Sequence, residues 1–444
     1  MGTVFPEGPA RRRVDKLAIL AMAVQVALAV PLRTIAWTEV TTPGYLCSRG
    51  LILYRDVKFL HTPGVMATLA LLFWIFGAHT ALLKAYPIAF GLMAHGFLLR
   101  ETRPLSPVAR AAGSGLFLAL FYTWQGNSIW PTVLIAALVL PIGRALAREK
   151  IVQAGLLLGM CVILKQTAAY ALFAVAAALL VRKRPGSSAR LLVWGSLPYA
   201  ASFLVFLCLG AGFEFVEWTL LVPFTIQKGV TDAPPSGNQL FGLAMAFLPL
   251  LGTAFSERKE PEDLPTGWLV VLAAGFAALT YPRFGFLNCV AAFPLLALGA
   301  ARFADAPVRR WRMAARAFAA VMALSSAAIL AAGEPFDGRI ARWNDDPAFN
   351  RLVWRLRRDY AGYRLNARVW GNLHPATEML PPGNLFVHFW EWYSMPVDSI
   401  GDRVRAASLR PGTLTVSFWR PGARGVRSGP YVIEAHPPRD PGRY

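Results

Sequence analysis

Residues 37–77 read WTEVTTPGYLCSRGLILYRDVKFLHTPGVMATLALLFWIFG, and the placement of this stretch sets the orientation of every apolar segment that follows. It begins where the first long apolar run ends. Within it lie the ionisable residues Glu39, Tyr45, Arg49, Arg55, Asp56, Lys58 and His61. So many ionisable groups beside apolar sequence are expected where a membrane protein carries out its function. We therefore interpret this stretch as the first extracytoplasmic loop of a membrane protein.

The composition indicates a polytopic membrane protein. Of 444 residues, 55% are hydrophobic and only 16% are charged, and the mean hydropathy is +0.44. Such values are typical of chains that cross a bilayer many times. The net charge of +20 does not indicate a nucleic-acid partner, because the basic residues fall in short clusters between apolar runs, as the positive-inside rule expects. We expect membrane lipids and no nucleic acid as partners.

Charge also decides whether residues 63–77 cross the bilayer. These fifteen residues would span about 22 Å as a helix, which is less than the roughly 30 Å of hydrocarbon. If they do not cross, every later basic cluster lies on the same side as the basic N-terminus, which is the cytoplasm. The sequence therefore predicts a juxtamembrane helix along the outer interface at residues 63–77.

This topology predicts about eleven transmembrane helices, with the N-terminus in the cytoplasm and the C-terminus outside. They cover residues 17–37, 82–99, 111–125, 129–146, 151–164, 167–181, 191–210, 238–255, 267–280, 288–304 and 313–332. The outward connections then form one face, where we expect the chemistry. They are the opening loop, the QGNS and KQT turns, the long segment 212–238 and the YPRFGFLN turn. The tryptophans near helix ends are interpreted as interface anchors. These are Trp37, Trp74, Trp130, Trp218 and Trp268.

The hydropathy falls after about Ala332, which divides the chain into two predicted domains. Residues 1–332 form the transmembrane domain. Residues 333–444 form a small extracytoplasmic domain of mixed α/β structure, with strand-like runs at 414–419 and 431–435.

Two carboxylates in the opening loop are candidates for proton transfer. Glu39 follows the first predicted helix, where it could deprotonate an attacking acceptor group. The alternative is a solvated acid at a helix end. Asp56 could share this role, or it could simply pair with Arg55.

Two cations in outward turns are candidates for phosphate binding. Lys165 in KQT and Arg283 in YPRFGF are each a single cation in an apolar turn, and an anionic phosphate would be a fitting partner. The alternative is that both reach to phospholipid headgroups. Arg55, Lys58 and His61 would add to the same positive pocket. The sequence has neither metal-site spacing nor a nucleotide-binding motif, so no cofactor is expected and a divalent metal has no support.

Three stretches resemble the GT-C superfamily of integral membrane glycosyltransferases, which includes the protein O-mannosyltransferases and the lipid A aminoarabinose transferase. They are TPGY with GLILYRDVKFLHTPG at 42–64, KQTA at 165–168, and YPRFGF at 281–286. The layout of residues 15–300 is also similar. The second outer loop departs from the pattern, because it has Gln125, Asn127 and Ser128 where many members carry an acid. Asn288 stands where many have histidine.

The resemblance implies a GT-C-like bundle in the bacterial inner membrane and inverting transfer of a sugar from a polyprenyl-phosphate donor. The acceptor could be a glycan, a lipid or a protein. It also implies a role for each candidate. Glu39 and Asp56 would be catalytic; Lys165, Arg283, Arg55 and Lys58 would bind the donor phosphate; and Tyr45, His61, Gln166 and Asn288 would bind substrate.

Two alternatives stay open at this point. A transporter or flippase of lipid-linked saccharides predicts charges in mid-helix and two repeated halves, whereas the ionisable groups here collect at one surface. A scaffold that has lost activity is favoured by the missing second acid. If the chain is an enzyme, Glu39, Lys165 and Arg283 should converge on one outward cavity.

Overall fold

The computed structural model describes most of the chain as helix. The residues that it describes are 15–223, 237–253, 264–280, 286–332, 346–369, 372–384, 386–387, 406–418 and 425–436.

Fifteen α-helices lie in the described residues up to Ala332. They are α1 Lys16–Ala29, α2 Thr38–Ser48, α3 Gly64–Phe76, α4 Thr80–Glu101, α5 Pro107–Thr123, α6 Pro131–Ala147, α7 Ile151–Leu164, α8 Ala169–Val181, α9 Pro185–Cys208, α10 Gly212–Val216, α11 Gly237–Thr253, α12 Thr266–Ala277, α13 Phe286–Cys289, α14 Phe293–Ala304 and α15 Arg309–Ala332. Short 3-10 helices precede α8 and α14, and a π-helix, Glu217–Leu221, follows α10.

Each of the eleven predicted apolar segments contains a helix. By length and composition, four helical segments in the described residues are long and apolar enough to cross a membrane: Thr80–Glu101, Pro185–Cys208, Leu287–Ala304 and Arg309–Ala331. Six other apolar helices have 10–17 residues.

The first helix is shorter than predicted, and Glu39 lies in a helix rather than in a loop. Helix α1 ends at Ala29, two residues before Pro31, which has no N–H to continue the helical hydrogen bonds. Ile35 then pairs with the segment before α6: its N–H donates to the Asn127 carbonyl at 3.3 Å, and its carbonyl accepts from Ile129 at 2.9 Å. The chain therefore turns back into a second helix, α2, and Glu39 lies in its first turn.

The helix predicted at residues 63–77 is confirmed as α3. Its thirteen residues span about 20 Å, too little to cross the bilayer. The side chains of Leu71, Trp74, Ile75 and Phe76 are exposed, as expected for a helix that lies against lipid.

Three tryptophans predicted to be interface anchors are instead part of the protein interior. Trp74 is 72% exposed and fits that prediction, but Trp130, Trp218 and Trp268 are buried. Their position near helix ends is the same, so exposure could not be read from spacing along the chain.

The described residues between Asp346 and His436, called the C-terminal unit below, combine helices and a four-stranded sheet around their own apolar core. Its helices are α16 Pro347–Asp359 and α17 Leu373–Thr377. The strands of its sheet are β2 Arg364–Arg368, β4 Thr413–Phe418, β5 Val426–Ser428 and β6 Tyr431–His436. They lie in the order β2-β4-β6-β5, in which only β2 and β4 are parallel. The two predicted strands are thus confirmed as β4 and β6.

A two-stranded sheet joins the C-terminal unit to the opening loop. Strand β1 Val57–Lys58 pairs in parallel with β3 Phe386–Val387, and the Phe386 N–H donates to the Asp56 carbonyl at 2.8 Å. The Phe386 side chain is buried in the core of the helical part. The loop that follows α2 is therefore held by a segment more than 300 positions later in the chain.

Buried polar side chains connect three of the helices. His95 on α4 contacts the Gln25 amide oxygen of α1 through Nδ1 at 2.8 Å and the Ser114 hydroxyl of α5 through Nε2 at 2.6 Å. The amide nitrogen of Gln25 donates to the Tyr122 hydroxyl at 3.1 Å. These contacts satisfy groups that would be costly to bury alone.

Helix α5 packs directly against α14 through small residues. A Cβ atom on Gly113 would lie 2.7 Å from the Ala301 Cβ and 2.9 Å from the Ala297 carbonyl oxygen. A Cβ atom on Gly115, two positions along the same helix, would have no heavy atom within 4 Å.

We therefore expect Gly113→Ala to destabilise the protein by about 1–3 kcal/mol, because the two backbones must separate. Gly115→Ala is the matched control and should be neutral or stabilising by up to about 1 kcal/mol, since alanine favours helix. Thermal unfolding of both purified variants in the same detergent measures the difference. Equal melting temperatures would contradict this packing.

Candidate functional site

The site is built around Lys165, the residue between α7 and the 3-10 helix Gln166–Ala168. Its side chain is only 5% exposed. Its ammonium group donates to the Asn288 side-chain oxygen at 2.5 Å. Asn288 lies in the short helix α13, so two of the predicted outward turns meet at this contact.

The indole of Trp130 contacts both Lys165 and Asn288. The Lys165 ammonium lies 5.6 Å from the centroid of the Trp130 ring, a distance at which a cation is attracted by the ring face. The Trp130 indole N–H also donates to the Asn288 oxygen at 3.2 Å. One amide oxygen thus accepts from both a cation and an indole.

Two more rings surround Trp130. The centroid of Trp37 lies 5.7 Å from it and that of His61 lies 5.9 Å from it. Trp37 is the residue that precedes α2, so this contact brings the start of the Glu39 helix to the site. The opening loop, α6 and α7 therefore converge on one point.

Glu39 is half-buried in the first turn of α2 and lies within electrostatic reach of Lys165. Burial lowers the pKa of Lys165 to about 7, and the negative charge of Glu39 opposes this shift, followed by a smaller opposing effect of Cys289. The charge of Glu39 thus favours the protonated form of the cation with which it is predicted to act.

His61 is neutral at physiological pH. Its pKa is lowered to about 4, mainly by burial and also by the charge of Lys165, while the neighbouring Gln166 side chain opposes both effects. Gln166 in turn donates to the Leu60 carbonyl at 2.6 Å. A neutral imidazole beside an ammonium group can form hydrogen bonds without adding positive charge.

Several polar atoms around the site are buried without a hydrogen-bond partner in the described structure. They are Trp37 Nε1, Thr41 Oγ1, His61 Nδ1, Ser128 Oγ, Gln166 Oε1 and Thr167 Oγ1. Buried polar groups are normally paired, so such a group needs an explanation, for example a bound polar molecule. Trp37 and His61 contact the Trp130 ring, and Gln166 and Thr167 follow Lys165 in the chain, so these four side chains adjoin the lysine and could bind a polar ligand.

Asp56 and Arg55 bind each other. The Arg55 guanidinium donates to the two Asp56 oxygens at 3.0 and 3.1 Å, and the Ile52 N–H donates to the same carboxylate at 2.8 Å. Burial raises the pKa of Asp56, but the hydrogen bonds from Arg55 and Ile52 outweigh it, so that the pKa is below its usual value. Of the two readings of Asp56, the geometry matches the one in which it pairs with its neighbour.

Tyr45 and Lys58 contact other parts of the molecule. The Arg49 guanidinium donates to the Tyr45 hydroxyl at 3.3 Å and lies 3.9 Å from the carboxylate of Glu378 in the C-terminal unit. The Lys58 ammonium lies 5.9 Å from the centroid of the buried Trp218 ring.

Arg283 lies outside the described residues, so its predicted contact with a donor phosphate stays a prediction. Within the described ranges, no group of three or more His, Cys, Asp and Glu side chains could hold a metal ion.

Sequence reasoning missed Trp37 and Trp130 as residues of this site. Each immediately precedes a helix, Thr38–Ser48 and Pro131–Ala147. The available signal was that both adjoin predicted outward connections, but the same position also suits an anchor at the membrane surface.

No family model matches the sequence, and no curated protein sequence is similar to it. Solved structures are similar. The crystal structure of ArnT from Cupriavidus metallidurans bound to undecaprenyl phosphate superimposes with a TM-score of 0.60 at 12% sequence identity, covering 94% of this chain and 97% of ArnT. The structure of the same ArnT in the apo state gives a TM-score of 0.61 with the same identity and coverage.

The similarity extends over nearly the whole of both chains, including the C-terminal unit, although few residues are identical. On this evidence the chain has the fold of ArnT.

Proposed function

We propose that this protein is a glycosyltransferase that moves a sugar from a polyprenyl-phosphate donor to an acceptor at the outer face of the membrane. The observation that carries the proposal is the buried Lys165 ammonium group, which contacts Asn288 and the Trp130 ring and is acted on by the charge of Glu39. The fold supports it, since ArnT in one solved structure is bound to undecaprenyl phosphate.

The donor phosphate would bind at Lys165. An ammonium group has three donors, and a phosphate forms stronger, charge-assisted hydrogen bonds than the neutral Asn288 amide does. Burial at 5% exposure strengthens the attraction because little water screens it. Arg283 is a second candidate for the same phosphate.

The sugar ring would occupy the space beside Trp130. Trp37 Nε1 can only donate, Gln166 Oε1 can only accept, and neutral His61 can do either through Nδ1. Together they would satisfy sugar hydroxyl groups. We assign Asp56, Arg55, Tyr45 and Lys58 to the shape of the outer loop and to its contact with the C-terminal unit, because their contacts lie there.

The proposed reaction is a single displacement with inversion. Glu39 takes the proton from the acceptor hydroxyl or amine while that atom bonds to the anomeric carbon of the sugar. The bond between that carbon and the phosphate oxygen breaks at the same time, and Lys165 stabilises the polyprenyl phosphate that leaves. A glycan, a lipid or a protein could supply the acceptor group.

We expect Glu39→Gln to lower the turnover number by about 10²–10⁴-fold, the usual contribution of a general base. Glutamine keeps the size of the side chain but cannot take a proton. The measurement is transfer from a panel of radiolabelled polyprenyl-phosphate sugars by the purified protein. Glu434→Gln, on an exposed position of β6, is the control and should transfer at the wild-type rate. Wild-type transfer by Glu39→Gln would end the catalytic assignment of Glu39.

We also expect donor binding to weaken about tenfold per pH unit above pH 7, because a lysine with a pKa of about 7 is neutral there and must take up a proton to pair with phosphate. Below that pH the lysine is charged and affinity should be constant. His61 does not titrate between pH 6 and 9, because its pKa is about 4. Glu39 is the remaining charge that faces the lysine.

The measurement is the dissociation constant of the phosphodiester donor, whose own charge does not change over this range. Lys165→Arg should remove the pH dependence, since arginine stays protonated. Lys165→Met should weaken binding by about 10- to 150-fold at pH 6.5, as expected for the loss of about 1.5–3 kcal/mol from a charged hydrogen bond. Lys150→Met, an exposed lysine before α7, is the control. The same pH dependence in Lys165→Met and the wild type would contradict this role.

A further inference from the structure

We propose that Asn372 of the C-terminal unit is a positioning residue for Glu39. This inference rests on the proposed function, in which Glu39 is the base. It gives the C-terminal unit a direct part in the reaction, because its side chain holds the helix that carries the acid.

The sequence of α2, TEVTTPGYLCS, has a low intrinsic helix propensity. Pro43 lies inside it and has no N–H, so the carbonyl of Glu39, four residues earlier, cannot receive its usual helical hydrogen bond. Gly44 follows, and glycine disfavours helix. Of the first five residues of the helix, the four other than Glu39 are all β-branched, which lowers helix propensity. They are Thr38, Val40, Thr41 and Thr42.

Tertiary contacts must therefore hold this helix in place. On one side, Gly44 allows α3 to approach so closely that a Cβ atom at this position would lie 2.8 Å from the Cβ of Leu69. On another side lies Asn372, which is 1% exposed. Its Nδ2 donates to the Ala36 carbonyl at 3.0 Å, and its Oδ1 accepts from the Thr42 hydroxyl at 3.3 Å.

The two contacts of Asn372 lie on either side of Glu39 in the sequence. Ala36 precedes the helix and Thr42 is its fifth residue, so one planar amide contacts the chain both before and after the first turn. The orientation of the amide is unambiguous, since only its NH₂ group can donate to a carbonyl. The carboxylate of Glu39 is carried on the backbone between these two points.

Asn372 is itself anchored in the C-terminal unit. Its carbonyl accepts from the Ala376 N–H at 3.1 Å, and the adjacent Leu373 is fully buried in the core of that unit. The ion pair between Arg49 and Glu378 connects the far end of α2 to the residue just after α17. The backbone of Asn372 is therefore fixed within the C-terminal unit while its side-chain amide contacts α2.

The donor pocket is made by other residues. Lys165, Asn288 and Trp130 contact one another without Asn372, and Trp37, which follows Ala36, is held against Trp130 by its own ring contact. Loss of the amide should therefore displace the base relative to the acceptor while the phosphate is still bound. Misplacement of a reacting group by about 1 Å can lower the rate about 100-fold.

The first test compares Asn372→Ala and Asn372→Asp with Asn366→Ala. The aspartate keeps the acceptor for Thr42 but turns an oxygen toward the Ala36 carbonyl. Asn366 is the matched control, because its amide donates to Ser408 Oγ at 2.6 Å within the C-terminal unit. We expect both Asn372 variants to lower kcat by roughly 10- to 100-fold with the donor KM within twofold of the wild type, and Asn366→Ala to change neither. A parallel loss of kcat and donor affinity would show a general structural role and overturn the proposal, as would wild-type kcat in both variants.

The second test does not depend on activity. Hydrogen–deuterium exchange of the full-length protein in lipid nanodiscs reports the opening of α2. We expect faster exchange of residues 38–48 in Asn372→Ala and unchanged exchange there in Asn366→Ala. Thr42→Val should act through the same contact, so that adding it to Asn372→Ala accelerates exchange by less than the two single effects combined. Unchanged exchange of residues 38–48 in Asn372→Ala would overturn the inference.

These two readouts separate failure of the inference from failure of the proposed function. A wild-type protein that transfers no sugar contradicts the proposed function, and the exchange of residues 38–48 still decides whether Asn372 holds the Glu39 helix.

Discussion

The burial of one ammonium group, that of Lys165, is the constraint on which the site depends. Removing a charge from water is unfavourable by several kcal/mol unless other groups compensate. Here the compensation comes from three different elements: the Asn288 oxygen, the ring face of Trp130 and the charge of Glu39. It is incomplete, since the pKa of the lysine is still lowered to about 7. An anion bound in the pocket would complete it, which is why a buried cation at this place favours a phosphate ligand.

Much of the fold could be predicted from the sequence because two physical requirements of a membrane protein determine it. Apolar runs must be helical in a bilayer, where each backbone group needs an internal partner, and the basic clusters predict their direction. The prediction that residues 63–77 form a helix that does not cross followed from its length together with the positions of the basic clusters. The contact of Lys165 with Asn288 could be anticipated only from the resemblance of their two turns to a known family, since 123 positions separate them.

The parts that could not be predicted depend on contacts between distant segments. Local propensity gives no reason for a helix at residues 38–48, where Pro43 and Gly44 oppose one, and the helix exists because α3 and the C-terminal unit pack on it. The pairing of Asp56 with Arg55 was one of two readings, and nothing in the order of residues decides between them. Trp130 is buried in the protein whereas Trp74 is exposed, although both lie near a helix end.

The charges of the pocket also explain why an acid and a cation should stand at opposite ends of the proposed reaction. Before transfer, the carboxylate of Glu39 carries one negative charge and the phosphodiester donor carries another. Afterwards Glu39 is protonated and the released phosphate monoester holds both charges. The total is unchanged, but negative charge has moved away from Glu39 and toward Lys165. A cation at that end is therefore more favourable in the product-like state than in the ground state, which is the differential stabilisation that accelerates a reaction. The arrangement needs the base and the lysine to keep a fixed separation, and the buried amide of Asn372 is the described contact best placed to maintain it on the side of the base.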